Sequence, residues 1–233
     1  MLLASLYDLK QFAVFSPDEL DWRVLPPKCI VQTHWRPDER FLELLNVAGF
    51  ASVTLARHPL DVLLSILQFA PREPRTARWL LGEGGSEAGI VNKTPNSEEF
   101  RRYVTGDRAS ALLSVSAVWW QRDEVLKVRY ENLLSDPAGA LSAVSVAIGP
   151  FEVPLEQSLN TLTLETLRRT TNNGHFWQGK AGLWKHLCPR SVANEAFAHH
   201  RKIFDTLGYA RDCDENMPGN EDVTHLWVEM QRL

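Results

Sequence analysis

Residues 51–70, ASVTLARHPLDVLLSILQFA, place Arg57 and Ser65 on either side of a Pro-Leu-Asp turn. A guanidinium offers a planar fork of donors and a hydroxyl adds one more. Converging from two elements, they suit a cluster of anionic oxygens such as a phosphate. Two glycines three apart, Gly179 and Gly182, form a second candidate in FWQGKAGLWKHL at 176–187. Glycines at that spacing let a backbone approach a phosphate closely, and they also mark ordinary turns. Arg57 has a plainer reading too, as a cap on carbonyls or a partner of Asp61, with Ser65 a small core residue.

The elements that must position these groups follow from local pattern. Val53, Thr54 and Leu55 are apolar or β-branched and lead into Arg57, which suits a central strand. Pro59 has no N–H to lose in the first turn of a helix, and Asp61 sits where the helix dipole favours an acid. Leu60, Leu63, Leu64 and Leu67 recur as one apolar helical face. Arg57 then stands at the carboxyl end of a strand, where open α/β sheets bind ligands. Ser65 lies six residues beyond Pro59, roughly 9 Å along the axis.

Around this unit the chain reads as alternating strands and helices. Residues 1–12 suggest a helix with Leu2, Leu6 and Leu9 on one side, and 29–33 a short strand with His34 at its carboxyl end. A helix over 38–48 closes at Gly49. Prolines at 71, 74 and 95 and the glycines near 84 make 71–97 a long excursion, read as a substrate lid held by Arg78, Trp79 and Leu80. Helices are expected from Ser97 and over 109–122, a strand over 125–130 ending in Tyr130, a helix from Asp136 to about Gly149, and one amphipathic helix over 197–209. Such β-α-β-α alternation predicts an α/β fold with a parallel sheet flanked by helices on both faces. Residues 210–233 form a C-terminal extension with no assigned role.

Composition narrows the function classes. The 233 residues fit one α/β domain with a full core. A net charge of −4 argues against a general nucleic-acid binder. Cys29, Cys188 and Cys213 make neither a CxxC nor a Cys/His cluster, so no metal is expected, and the odd count points to reduced thiols in the cytoplasm. No basic region precedes the apolar residues of MLLASLYDLK, a poor signal peptide. The longest apolar run, 109–120, holds Ser110, Ser114 and Ser116 and falls far short of a membrane span.

R-H-P-L-D-V-L-L-S at 57–65 resembles the R-x-P-x-D-x-x-x-S signature of the sulfotransferases that use 3′-phosphoadenosine 5′-phosphosulfate (PAPS) and release 3′,5′-ADP (PAP). The resemblance implies that Arg57 and Ser65 hold the nucleotide's 3′-phosphate. VRYENLLSDP at 128–137 is similar to the family's Y-E-D-L and D-P segment, which places Tyr130 on the adenine side, with Asn132 replacing the usual Asp. G-K-A-G-L-W-K is similar to the family's R-K-G-x-x-G-x-W-K loop, giving Gly179, Gly182, Trp184 and Lys185 as matches. Trp177-Gln178 stands where the family has Arg-Lys, and Lys180 is a candidate for the missing charge. Q-T-H-W-R-P at 32–37 resembles K-T-H-x-x-P, which makes His34 the catalytic base and leaves Gln32 in place of a lysine. Histidine suits the role because its ordinary pKa, about 6.5, lies near working pH.

The family's fold is related to that of P-loop nucleotide kinases, so the resemblance implies sulfuryl transfer from PAPS, without a metal, to a hydroxyl or amine of a small molecule. It covers most of residues 1–210. The family's opening P-K-S-G-T-T-W loop, which binds the 5′-phosphosulfate, has no counterpart, so the first strand and donor loop are expected to be missing. The chain as written is then expected to be weakly active or inactive, either as a piece of a longer chain or as a degenerate member. Two other readings stay open. One is a small-molecule kinase, disfavoured because no G-x-x-x-x-G-K-[ST] occurs. The other is a nucleotide-binding remnant without activity.

Overall fold

A computed structural model describes residues 1–14, 16–70, 87–170, 176–210 and 217–231. The residues expected to pack the lid, Arg78, Trp79 and Leu80, lie outside the described residues, as does Cys213. Cys188 is buried and Cys29 half-buried.

The strand–turn–helix unit of residues 51–70 forms as expected. Strand β3 (Val53–Ala56) runs into helix α3 (Pro59–Phe69), whose Leu60, Leu63, Leu64 and Leu67 are all buried. Strand β4 (Leu126–Arg129) pairs with β3 in parallel, Val53 opposite Leu126 and Leu55 opposite Val128. Parallel strands alternate their side chains between faces, so this register sends Val53, Leu126 and Val128 to one side. There they pack against Leu6 of α1 (Leu2–Leu6) and Leu141 and Val144 of a later helix, Pro137–Ile148. Ala56 faces the other way, against Ala117 and Leu207. Helices therefore cover both faces of this sheet.

The sheet is divided, where one continuous sheet is predicted. Strands β1 (Gln11–Ala13) and β2 (Ile30–Gln32) form a separate parallel pair, and no bond joins the two pairs among the described residues. The free edge of β3 is met by a helix instead. The Leu55 carbonyl accepts a long bond, 3.4 Å, from the Ser116 hydroxyl on α5 (Asp107–Trp120). Covering an edge with a helix is a standard way of satisfying it.

Three further expectations are corrected. Residues 1–12 do not form one helix: α1 ends at Leu6 with Tyr7 as its cap, Asp8 takes a left-handed φ of 48°, and Gln11–Ala13 forms β1. Aspartate tolerates that conformation better than most residues, and the strand pairing outweighs the leucine spacing. Tyr130 does not end a strand but starts helix α6 (Tyr130–Ser135). The 197–209 helix is two, α11 (Arg190–His199) and α12 (Arg201–Leu207), broken at His200 and closed by Gly208 in the left-handed conformation. Elsewhere Asp38, Ser97 and Asp136 cap helices α2 (Glu39–Val47), α4 (Glu98–Val104) and α7 (Pro137–Ile148) through their side chains.

The described end of the expected lid is anchored. Glu87, only 3% exposed, accepts from Tyr103 Oη at 3.1 Å and Arg108 Nε at 2.8 Å. Within the C-terminal extension, helix α13 (Asn220–Gln231) packs into the fold: Val223 and Trp227 are buried, and Trp227 joins the main core with α3, α4 and α11.

His200 explains the helix break. It is buried, and its Nε2 lies 2.6 Å from the Val104 carbonyl, which can only accept. Nε2 therefore carries the hydrogen and Nδ1 is a lone pair. Burial holds the imidazole below its ordinary pKa, so the native state keeps it neutral. Below about pH 6.5 the unfolded chain binds a proton that the native chain refuses, so stability falls as pH drops from there. Urea unfolding at pH 7.5 and 5.5 should show this loss reduced in His200→Gln. An equal loss in both proteins would contradict the assignment.

Candidate functional site

The carboxyl end of β3 and the amino end of α3 meet the 176–187 segment. Asp61, 1% exposed, accepts from the Gly182 N–H at 2.6 Å through Oδ2 and from the Trp184 N–H at 3.0 Å through Oδ1. Burial pushes its carboxyl up, while Arg57 and the two N–H donors pull the other way. Gly179 and Gly182 have φ of 61° and 77°, a region L side chains rarely enter, so glycine is required at this double bend.

Arg57 crosses the same space. Its Nη2 donates to the Lys180 carbonyl at 3.1 Å, and its guanidinium lies 4.7 Å from the centre of the Tyr130 ring. Its Nε is buried and has no hydrogen-bond partner among the described residues. Buried donors are nearly always paired, so this one stands out. The plainer reading is met in part, since Arg57 does cap a carbonyl, but that bond leaves Nε over. Burial also raises the Tyr130 phenol.

His58 and Glu131 lock the base of the site. The His58 N–H donates to Glu131 Oε1 at 2.9 Å, and Tyr209 Oη donates to Glu131 Oε2 at 2.7 Å. The His58 ring stacks on Trp184, 4.5 Å apart and 8° from parallel. Behind it Arg129 lies between the rings of Trp120 and Tyr209 and donates to the Leu207 carbonyl.

The structure thus brings together Arg57, Tyr130, Lys180, Gly182 and, along the same loop, Gly179. Lys180 contributes its carbonyl, while its side chain is exposed. Ser65 is half-buried on α3 and takes no part in the bonds that join Arg57, Asp61 and the loop. His34 is exposed just past β2, and the partners of Arg57 are Tyr130 and Lys180, not His34. The strap carrying His34 is tied to α5, where Trp119 Nε1 donates to the Trp35 carbonyl at 2.8 Å and Arg36 Nη2 to Ser114 Oγ at 2.6 Å.

Sequence reasoning missed Asp61 as a clamp, Glu131 as a lock and the use of Trp177 and Gln178. Those two side chains both donate to the Met230 carbonyl of α13, at 3.3 and 3.4 Å, and Trp177 meets Trp227 edge-on at 5.3 Å. The signal for Asp61 was present: Asp61, Leu64 and Gln68 fall on one stripe of an apolar helix. An acid on such a stripe requires partners.

Among the described residues no group of His, Cys, Asp and Glu is arranged to hold a metal, and no helix is long and apolar enough to cross a membrane. No protein-family description and no curated protein sequence matches the chain. A solved structure similar to it is retinol dehydratase in complex with androsterone and inactive cofactor PAP, with a TM-score of 0.52 and 18% identity. The match covers 78% of this chain and 55% of that one, and at this identity the likeness is one of fold.

Asp61→Asn tests the clamp. It keeps the volume but turns one accepting oxygen into an NH2 group that faces a backbone N–H. Urea unfolding should register a loss of about 1–3 kcal/mol, the cost of a buried unsatisfied group. A change below about 0.5 kcal/mol would show that the loop is held by something else.

Proposed function

We propose that the Arg57–Tyr130–Gly182 cluster binds the 3′-phosphate and adenosine side of PAPS or PAP, and that the chain serves sulfuryl transfer to a hydroxyl or amine of a small molecule. The observation that carries this reading is the buried Nε of Arg57, without a partner among the described residues, beside a glycine loop. A fold like that of a protein solved with PAP supports it. The residues fit the group: Arg57 supplies charge and directed donors, Tyr130 a ring face, and Gly179 and Gly182 a backbone open to close approach. Ser65 is assigned a second contact to the phosphate.

PAPS, when bound, supplies the activated sulfuryl group. The protein's own contribution is positioning and charge, as in phosphoryl transfer. Arg57 fixes the nucleotide, Asp61 holds the loop against it, and His34 takes the proton of the acceptor hydroxyl or amine. His34 stands on a strap tied to α5 by Trp119 and Arg36, which limits its freedom. A cytoplasmic setting and an acceptor covered by residues 71–97 belong to the same proposal.

A second reading, nucleotide binding without transfer, is favoured by Gln32. It occupies the position matched to the family's lysine, carries no charge, and its Oε1 accepts from Gln11 Nε2.

Calorimetry should find PAP bound more tightly than 5′-AMP, with Arg57→Ala costing about 1.5–3 kcal/mol, the range of a charged hydrogen bond. Equal affinities for the two nucleotides would remove the 3′-phosphate assignment. Transfer from labelled PAPS to a panel of phenols, alcohols and amines separates the two readings. Wherever turnover is seen, His34→Ala should lower kcat by about 10²–10⁴ with PAP affinity unchanged. Near-normal turnover in that variant would refute His34 as the base. Binding of PAP without transfer would leave the second reading standing.

A further inference from the structure

Helix α5 carries an unusual stripe. Asp107, Ser110, Ala111 and Ser114 follow one another at i, i+3, i+4 and i+7, the spacing of one helical face. The stripe is exposed at Asp107 and half-buried at the other three, and it holds two hydroxyls and a carboxylate. Opposite it stand His199, His200, Lys202 and Ile203 from the α11–α12 junction, and Arg36 closes the side. Between them lies a cavity of about 400 Å³. Pockets that take small molecules run from about 300 to 1,000 Å³. It shares no residue with the Arg57 cluster.

The chemistry of the walls is specific. Arg36 and Lys202 bring two cations and Asp107 one carboxylate, which leaves one positive charge for a ligand to meet. Arg36 is held in place by Ser114 Oγ at 2.6 Å and the Ala111 carbonyl at 3.4 Å, and a guanidinium so fixed loses little freedom on binding a carboxylate. The floor is an acceptor. His200 gives its one hydrogen to Val104, so its Nδ1 lone pair looks toward Ser110 Oγ at 3.4 Å. The Ser110 hydroxyl has a single hydrogen and a competing acceptor, the Gly106 carbonyl at 3.1 Å. When the hydroxyl turns to Gly106, the His200 Nδ1 lone pair is left for another donor. Ile203 and Ala111 supply an apolar middle.

We propose that this cavity is a second small-molecule site, which takes a monocarboxylate bearing a hydroxyl: the carboxylate toward Arg36 and Lys202, the hydroxyl toward Ser110 and His200. It goes beyond the nucleotide reading and does not depend on it. A phosphate dianion fits less well, because Asp107 opposes a second negative charge.

The test is calorimetry on the full chain with 4-hydroxybenzoate, benzoate, phenol and inorganic phosphate. The site predicts saturable binding of 4-hydroxybenzoate at least tenfold tighter than benzoate or phenol, and weaker binding of phosphate. Arg36→Ala and Lys202→Ala, both at exposed positions, should each weaken it about tenfold, and Ser110→Ala should erase the advantage over benzoate. Arg57→Ala should leave it unchanged. Absence of saturable binding, equal affinity for benzoate, tighter binding of phosphate, or indifference to Arg36→Ala and Lys202→Ala would each overturn the proposal. Loss of binding in Arg57→Ala would move the ligand to the other site and overturn it too.

Discussion

One buried carboxylate sets the geometry of the candidate site. Asp61 has almost no contact with water, so its two oxygens must be satisfied from within the protein. The donors it finds are the N–H groups of Gly182 and Trp184, more than a hundred residues away in sequence. Those bonds bring the loop to the amino end of α3, and only then does the Lys180 carbonyl come within reach of Arg57. The left-handed bends at Gly179 and Gly182 follow from the same demand, since the loop must turn twice to present its N–H groups inward.

A second carboxylate works beside the first. Glu131 ties the backbone of His58 to the Tyr209 hydroxyl, and so joins the end of β3, the start of α6 and the end of α12. Asp61 feels the charge of Arg57, whose bonded partner is the Lys180 carbonyl. Part of the Arg57 donor set, its Nε, has no hydrogen-bond partner among the described residues. Asp61 accepts one bond at each oxygen from the N–H groups of the loop.

Much of this was legible where the pattern is local. The β3–α3 unit, the caps at Asp38, Ser97 and Asp136 and the signature positions Arg57, Tyr130, Gly179 and Gly182 are each specified within a few residues. Local pattern also misled. Leu2, Leu6 and Leu9 keep helical spacing across a break that Asp8 makes, and the alternation of 125–130 runs one residue past the true strand into Tyr130. His200 divides a segment whose apolar spacing looks continuous, because its ring is needed at the Val104 carbonyl. What no local pattern can carry is pairing at long range. That Trp177 and Gln178 turn to Met230, or that β1 and β2 stand apart from β3 and β4, depends on residues distant in sequence.

The attachment of the loop to Met230 has a kinetic consequence. One end of the 176–187 segment is bonded to the last turn of the C-terminal helix and the other to a helix that starts at Pro59. Contacts of such separation form late, because the entropy of closing the intervening chain is lost before they return anything. The candidate site is therefore among the last parts of the molecule to exist during folding. It is absent from any partly folded state in which α13 has yet to dock. A ligand that needs the finished loop binds only the native state and shifts the folding equilibrium toward it. In this chain, occupancy of the site and stability of the fold are thermodynamically linked.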